Sequence, residues 1–423
     1  MPNSPQSSET PVPVRPDGTL DGERVRHDFP LLLRRRENGQ PLYYLDNAAT
    51  THKPRVVIES LQELYSTLNA KNREEHALSQ AITQALKEAR QKVATFLHAE
   101  DPSEIIFVRN ATEAINLVAY GFGRSVLQPG DEVVLTHLEH HSNIVPWLMA
   151  CEQTGAQVRV APVTEAGEVE VEKLEALLSE RTRLVAVSHV SNVFGTILPL
   201  RRIIRAAHAR GIPVLIDGAQ GAPHLPVDVL ELGCDFYACS SHKLYGPMGV
   251  GVLYGRTDWL ERLPAYQGGS EMAEEVSFEK WKPKPLPKKF EAGSPALMDA
   301  IGLGRALDYV QRLGMDRIAL YEKELLGYAR QQLGAIDRVK LVGNPRDAVG
   351  VLSFTVEGAE PKKVSEFLDQ EAGVAVRAGR LAAQPIMDFL KLKGAIRMSV
   401  ALYTAREEID ALVQGLRDFL KQH

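Results

Sequence analysis

Cysteine is nearly absent from this sequence. Only Cys151, Cys234 and Cys239 occur among 423 residues. Their spacing offers neither a metal knuckle nor a disulfide framework. So sparse a use suits a reducing, cytoplasmic compartment. No run of about 18 apolar residues occurs, which leaves no candidate for a membrane-spanning helix. Aromatic residues are few, at 6%. Neither charge dominates: 49 Lys and Arg stand against 54 Asp and Glu, a formal net charge of -5. A mildly acidic chain with scattered cations gives no footing for nucleic acid or an anionic membrane. The first 25 residues are rich in Pro, Ser and Glu. They lack the apolar stretch of a secretory leader.

What is present reads as an ordinary globular chain, 44% hydrophobic and 24% charged, long enough for two or more domains. Residues 1–24 read as a mobile tail. From Ser79 to Phe96, Ile82, Leu86, Ala89, Val93 and Phe96 recur at helical steps. The middle of the chain then repeats one theme, a short apolar strand followed by a polar loop and a helix. Ile105–Val108 leads to Asn110-Ala111-Thr112-Glu113, and Asp131–Leu135 to Glu139-His140-His141. Thr182–Val187 leads to Ser188–Asn192, Ile212–Ile216 to Asp217–Gln220, and Asp235–Cys239 to Ser240–Lys243. Strands alternating with helices predict an α/β fold with a mostly parallel sheet. Ligands bind such sheets beyond the carboxyl ends of the strands, where every one of these polar clusters falls. Leu260–Phe290, with Pro283, Pro285 and Pro287, reads as loop. Helices are expected over most of Glu291–Leu313 and Met315–Leu333. Strands at Val339–Val342, Val349–Thr355 and Gly373–Val376, with helices at Pro361–Gln370 and Arg406–Leu420, make a smaller C-terminal α+β unit.

Lys243 ends one of the polar clusters, beside hydroxyls and an imidazole. A lysine there can form a Schiff base with an aldehyde cofactor; a plain surface lysine is the alternative. Asp217 closes an apolar run, where a carboxylate is costly without a positive partner such as a pyridinium nitrogen. Capping a helix is its other use. Gln220 follows one turn later, within reach of a ring oxygen. Thr112 opens a helix whose N-terminus suits a phosphate, or it simply caps. His140 could stack on a cofactor ring, with His141 beside it as a rival. Asn192 could bond a cofactor oxygen. Arg397 offers a two-point grip on a carboxylate, or a structural ion pair.

Taken together, Tyr44-Leu45-Asp46-Asn47-Ala48-Ala49, Asn110–Glu113, Glu139–Trp147, Ser188–Gly195, Asp217–Gln220 and Ser241–Pro247 resemble the Suf-type (group II) cysteine desulfurases. These are class V aminotransferase-type enzymes of the fold-type I pyridoxal-phosphate class. The resemblance runs from about Val25 to the C-terminus. It implies a pyridoxal-phosphate-binding large domain over 46–313 and a small domain over 314–423, with 25–45 packing against the small domain. Lys243 would carry the cofactor and shuttle protons. Asp217 would meet the pyridine nitrogen and Gln220 the 3-oxygen. His140 would stack on the ring, and Thr112, Ser240 and His242 would hold the phosphate. Ser294 would reach the phosphate of a partner subunit, which implies a homodimer with shared sites. Arg397 and Asn192 would face the substrate, with Arg377 supporting the active-site loop.

One segment departs from the family. Where Suf-type enzymes carry Arg-x-Gly-His-His-Cys, this chain reads Arg377-Ala378-Gly379-Arg380-Leu381-Ala382, so the nucleophile's position holds alanine. A methyl group can neither attack sulfur nor store it. The expectation is therefore an enzyme that acts on cysteine or a related sulfur or selenium amino acid without a persulfide cysteine. A desulfurase with Ala382 introduced, an aminotransferase and a non-catalytic scaffold are the alternatives. A sulfur-acceptor protein is an expected partner wherever desulfuration is retained. Tyr403-Thr404 and Arg73–Ser79 also depart from the family pattern, and both are expected to line the substrate pocket.

Overall fold

The computed structural model describes residues 12–72 and 74–423. Strands run in chain order as β1 (Tyr43–Tyr44), β2 (Ile105–Val108), β3 (Glu132–Thr136), β4 (Gln157–Ala161), β5 (Thr182–Ser188), β6 (Val214–Asp217), β7 (Phe236–Ser240) and β8 (Gly251–Gly255). There follow β9 (Ala273–Val276), β10 (Trp281–Pro283), β11 (Val339–Leu341), β12 (Val351–Val356), β13 (Val374–Ala375), β14 (Arg377–Gly379) and β15 (Ala395–Ser399).

Seven strands form the large sheet, in the order β2-β8-β7-β6-β5-β3-β4. From β4 to β7 the neighbours are parallel, joined by crossover helices. Of these, β5, β6 and β7 are buried along almost their whole length, as strands covered on both faces must be, whereas β4 is a largely exposed edge. β8 runs antiparallel to both β7 and β2. Only a short glycine-containing loop separates it from β7, too short for a parallel crossover. The carboxyl ends of β2, β3, β5, β6 and β7 consequently share one edge. Gly251 on β8 passes so close to β2 that an added Cβ would sit 2.5 Å from the Cα of Asn110. Asn110 caps helix Ala111–Ser125 through its side chain, so this glycine sets where that helix begins.

Helix Ala77–Leu97 buries Ile82, Leu86, Ala89 and Val93 along the stripe that the sequence spacing anticipates. His76 starts it by accepting the Ser79 N–H. The C-terminal unit holds a four-stranded antiparallel sheet, β11-β12-β15-β14. Helices Pro361–Ala372 and Arg406–Gln422 accompany it. β1 pairs in parallel with β13, which ties the chain's early segment to this smaller unit.

Two expectations need correction. The tail expected to reach residue 24 is folded from Val14 onward. Val14 bridges Leu20, Leu20 is fully buried, and Arg15 pairs with Glu324 at 3.2 Å. Leu20, Val25 and Phe29 supply apolar anchors that the polar average concealed. Residues 1–11 of that expectation lie outside the described residues. The stretch expected as loop around Pro283 contains the hairpin β9–β10.

Candidate active site

A cavity of about 520 Å³ opens at the shared strand edge. Its charged lining is one carboxylate, Asp217, against Lys243, Arg377, Arg380 and Arg397. Asn110, Thr112, His140, Asn192, Gln220, Ser240, His242 and Ala382 complete the part relevant to chemistry. The fold thus brings together the residues expected to hold the cofactor and the substrate, except Ser294, which is exposed in the loop before helix Leu297–Leu313.

Lys243 ends a single 3₁₀ turn that begins where β7 stops. The carbonyl just before it, on His242, receives Thr50 Oγ1 at 3.0 Å, Thr51 N–H at 3.0 Å, Thr51 Oγ1 at 3.1 Å and Lys53 Nζ at 3.1 Å. That cluster of donors fixes the peptide from which Lys243 projects. The Lys243 amine itself makes no hydrogen bond or ion pair with a described residue. Burial pushes it down to about 8, against the pull of Asp217 and Asp46 in the opposite sense.

Asp217 is 5% exposed and accepts the Ala219 N–H at 3.0 Å. Burial raises its carboxyl, and Lys243 offsets part of the rise. Gln220 donates from Nε2 to the Ala48 carbonyl at 2.7 Å, while its Oε1 is buried without a partner. At the other side of the cavity, Ser240 Oγ accepts the N–H of Ala111, the first residue of helix Ala111–Ser125. Thr112 Oγ1 lies 2.8 Å from Ser142 Oγ. His242 Nδ1 is buried and unpartnered, its imidazole pushed down to about 4 by burial and then by Lys243 and Lys53.

The two adjacent histidines divide their work. His140 lines the cavity, with Nδ1 accepting the Ser142 N–H at 3.1 Å. Burial, then Lys243, holds it down to about 3, hence neutral. His141 turns away, toward residues 382–384. Beneath them lies Glu139, which the sequence reading gave no role. Fully buried, it accepts from Thr136 Oγ1 at 2.6 Å, Ser188 Oγ at 2.6 Å and Asn143 Nδ2 at 2.7 Å. It thereby joins the loops after β3 and β5. A buried carboxylate is tolerable there because three donors meet it, although burial still lifts it to about 7.

Arg397 on β15 is 4% exposed. Nη1 donates to the Asn192 carbonyl and Nη2 to Asp46 Oδ1, each at 3.1 Å. Nε is buried without a partner. Two of five N–H groups are thus engaged, and the guanidinium keeps donors for an anion in the cavity. Asn192 commits its Nδ2 to the Leu381 carbonyl at 2.8 Å, leaving Oδ1 unpartnered. Arg377 is opposite Arg397 on β14.

Leu381 and Ala382 take positive φ values, 54° and 52°. Each costs about 1–2 kcal/mol for a residue with a Cβ. None of the three cysteines lines the cavity. All are buried, and burial pushes their thiols up, Cys239 to about 12. Tyr403 and Thr404, expected at the pocket, are packed elsewhere. The Tyr403 hydroxyl donates to Asn47 Oδ1 at 2.5 Å, and Thr404 Oγ1 accepts the Ala401 N–H. Arg73 lies outside the described residues. Among those described, no cluster suits a metal ion, and no helix is long and apolar enough to cross a membrane.

A lysine and a buried carboxylate on one strand edge, beside a helix N-terminus and below a smaller α+β unit, define the fold-type I architecture of pyridoxal-phosphate enzymes. Residues 43–412 match the class-V aminotransferase family, and the chain belongs to that family. It is 48% identical over 396 residues to a cysteine desulfurase of Dickeya dadantii, covering 93% of this chain and 95% of that protein. A probable cysteine desulfurase of Mycolicibacterium paratuberculosis is 48% identical over 410 residues; the match spans 96% of this chain but 60% of that longer protein. Among solved structures, the cysteine desulfurase CsdA of Escherichia coli superposes with a TM-score of 0.88 at 37% identity, covering 95% of this chain and 99% of that one. The cystine C-S lyase C-DES, solved with its product cysteine persulfide, superposes at 0.81 with 26% identity, over 92% and 99% of the two chains.

Proposed function

We propose that this chain is a pyridoxal 5'-phosphate enzyme, similar to the Suf-type desulfurases, that breaks a carbon–sulfur or carbon–selenium bond of cysteine or a related amino acid without a cysteine nucleophile of its own. The observation that carries the reading is the pairing of an equipped cavity with alanine at 382 and no thiol on its wall.

The residues fit the cofactor. Thr112, Ser240 and His242 would hold its phosphate, where the His242 Nδ1 lacks a partner. Asp217 would meet the pyridine nitrogen, and its burial is compatible with a cationic partner. Gln220 and Asn192 would face the ring oxygen with the second N–H of Nε2 and Nδ2, the first being given to the Ala48 and Leu381 carbonyls. His140, uncharged, would lie against the ring. When bound, the cofactor supplies an electron sink for a carbanion at Cα. Lys243 would take the Cα proton and give a proton to the departing sulfur or selenium, a task that suits an amine lowered to about 8. Arg397 binds the substrate carboxylate through its free N–H groups, and Arg377 and Arg380 add positive charge beside it.

A homodimer in a cytoplasmic setting, with Ser294 completing the partner's site, is part of the same proposal. The C–S lyase activity named for C-DES supports elimination as the outcome. The names of the desulfurase relatives favour a second reading, in which sulfur passes to an external acceptor protein and alanine remains. The products formed from L-cysteine separate the two: pyruvate, ammonia and sulfide in the first case, alanine in the second.

The depressed Lys243 amine has a pH consequence. Only the uncharged amine condenses with an aldehyde. Covalent uptake of pyridoxal phosphate by the cofactor-free protein should speed up as pH rises through about 8 and level off above it. Visible absorbance after rapid mixing reads this; a midpoint near the ordinary lysine value of 10.5 would remove Lys243 from the assignment.

A further inference from the structure

We infer that His141 is a positioning residue, holding the small-domain segment Arg380–Gln384 against the cavity and so fixing where the side chain at position 382 stands. Its backbone N–H donates to the Ala382 carbonyl at 2.8 Å, and its Nε2 accepts the Gln384 N–H at 3.0 Å. The third bond from the large domain to this segment comes from Asn192 Nδ2, at 2.8 Å, to the Leu381 carbonyl. The segment lies between β14 and helix Gln384–Phe389 and belongs to neither a strand nor a helix until Gln384.

Its backbone needs holding. Leu381 and Ala382 are consecutive residues of positive φ, and neither is glycine. Such a pair persists only where surrounding groups impose it. The segment's own ion pair, Arg380 with Asp388, ties it to its own unit and not to the large domain. Among the described residues three hydrogen bonds join it to the large domain, and His141 makes two of them.

The bond to Gln384 also fixes the ring. Accepting at Nε2 requires an uncharged imidazole with its proton on Nδ1. Burial, then the nearby Arg380, lowers the imidazole and favours that form. The neighbouring imidazole, His140, faces the cavity, so one dipeptide both lines the cavity and positions the opposing loop.

The test is amide-resolved hydrogen exchange on the cofactor-loaded protein and on two variants. In His141→Phe the ring remains but the acceptor is lost. The Gln384 amide should exchange about tenfold faster, the expected effect of losing one hydrogen bond. In His141→Gln an amide oxygen reaches a similar distance, and protection should stay within about twofold of the parent. Unchanged protection in His141→Phe would overturn the inference. Equal loss in both variants would also overturn it, because ring packing and not the acceptor would then hold the segment. Neither reading depends on which amino acid the enzyme consumes.

Discussion

Lys243→Ala should yield a protein that folds but holds no covalent cofactor. The purified variant should lack the visible absorption that pyridoxal phosphate acquires when bound to lysine, and turnover of any amino acid should fall about 10³-fold or more. Among the described residues Lys243 is the only lysine on the cavity. The variant should fold because the amine makes no hydrogen bond that its loss would orphan. The loop itself is held through the His242 carbonyl and its donors from Thr50, Thr51 and Lys53. No residue of the cavity replaces the amine. The guanidinium groups of Arg377, Arg380 and Arg397 offer N–H donors and no amine to attack an aldehyde. An unchanged visible spectrum in the variant would show that another lysine carries the cofactor.

Arg397→Ala should raise KM for the amino acid by an amount worth about 2–5 kcal/mol, the loss expected when one partner of a buried charge pair is truncated. Arg397 is the most deeply buried of the three cavity arginines. Its unpartnered Nε makes it the best placed to bond a carboxylate in the cavity. Arg397→Lys should recover only part of the loss, since an ammonium lacks the planar fork. The same change strips Asp46 of its partner at 3.1 Å, so thermal melting should accompany the kinetics. A KM within about twofold of the parent would assign the carboxylate to Arg377 or Arg380 instead.

Much of the fold was legible because of how a parallel sheet is covered. Strands expected at Thr182–Val187 and Asp235–Cys239 begin or end within one residue of β5 and β7. Both faces are buried there, so the strands read as plain apolar runs. β9 and β10 were missed because their residues are mainly exposed and leave no alternation to read. β15 was missed although it is entirely buried, since Arg397 interrupts the run and takes its partners from Asp46 and Asn192, more than 200 positions away. The direction of β8 depends on the shortness of its loop, which composition alone does not weigh.

The candidate site was legible where a residue's type at a strand end already implies chemistry, as for Lys243, Asp217 and Thr112. Glu139 was not, because its function is to receive bonds from Thr136, Asn143 and Ser188, and Ser188 sits on a different strand. The sequence shows that glutamate beside two histidines and invites attention to the rings. The tie between His141 and Gln384 spans 243 positions and leaves no local trace.

Product analysis tests the central claim most directly. The cofactor-loaded protein is incubated with L-cysteine and a reductant, and pyruvate, ammonia, alanine and sulfide are measured, with protein-bound sulfane sulfur read in a parallel sample without the reductant. Elimination without an enzyme thiol predicts pyruvate, ammonia and sulfide in equal amounts, with no alanine and no persulfide on the protein. Alanine formed alongside a persulfide on Cys151, Cys234 or Cys239 would contradict it.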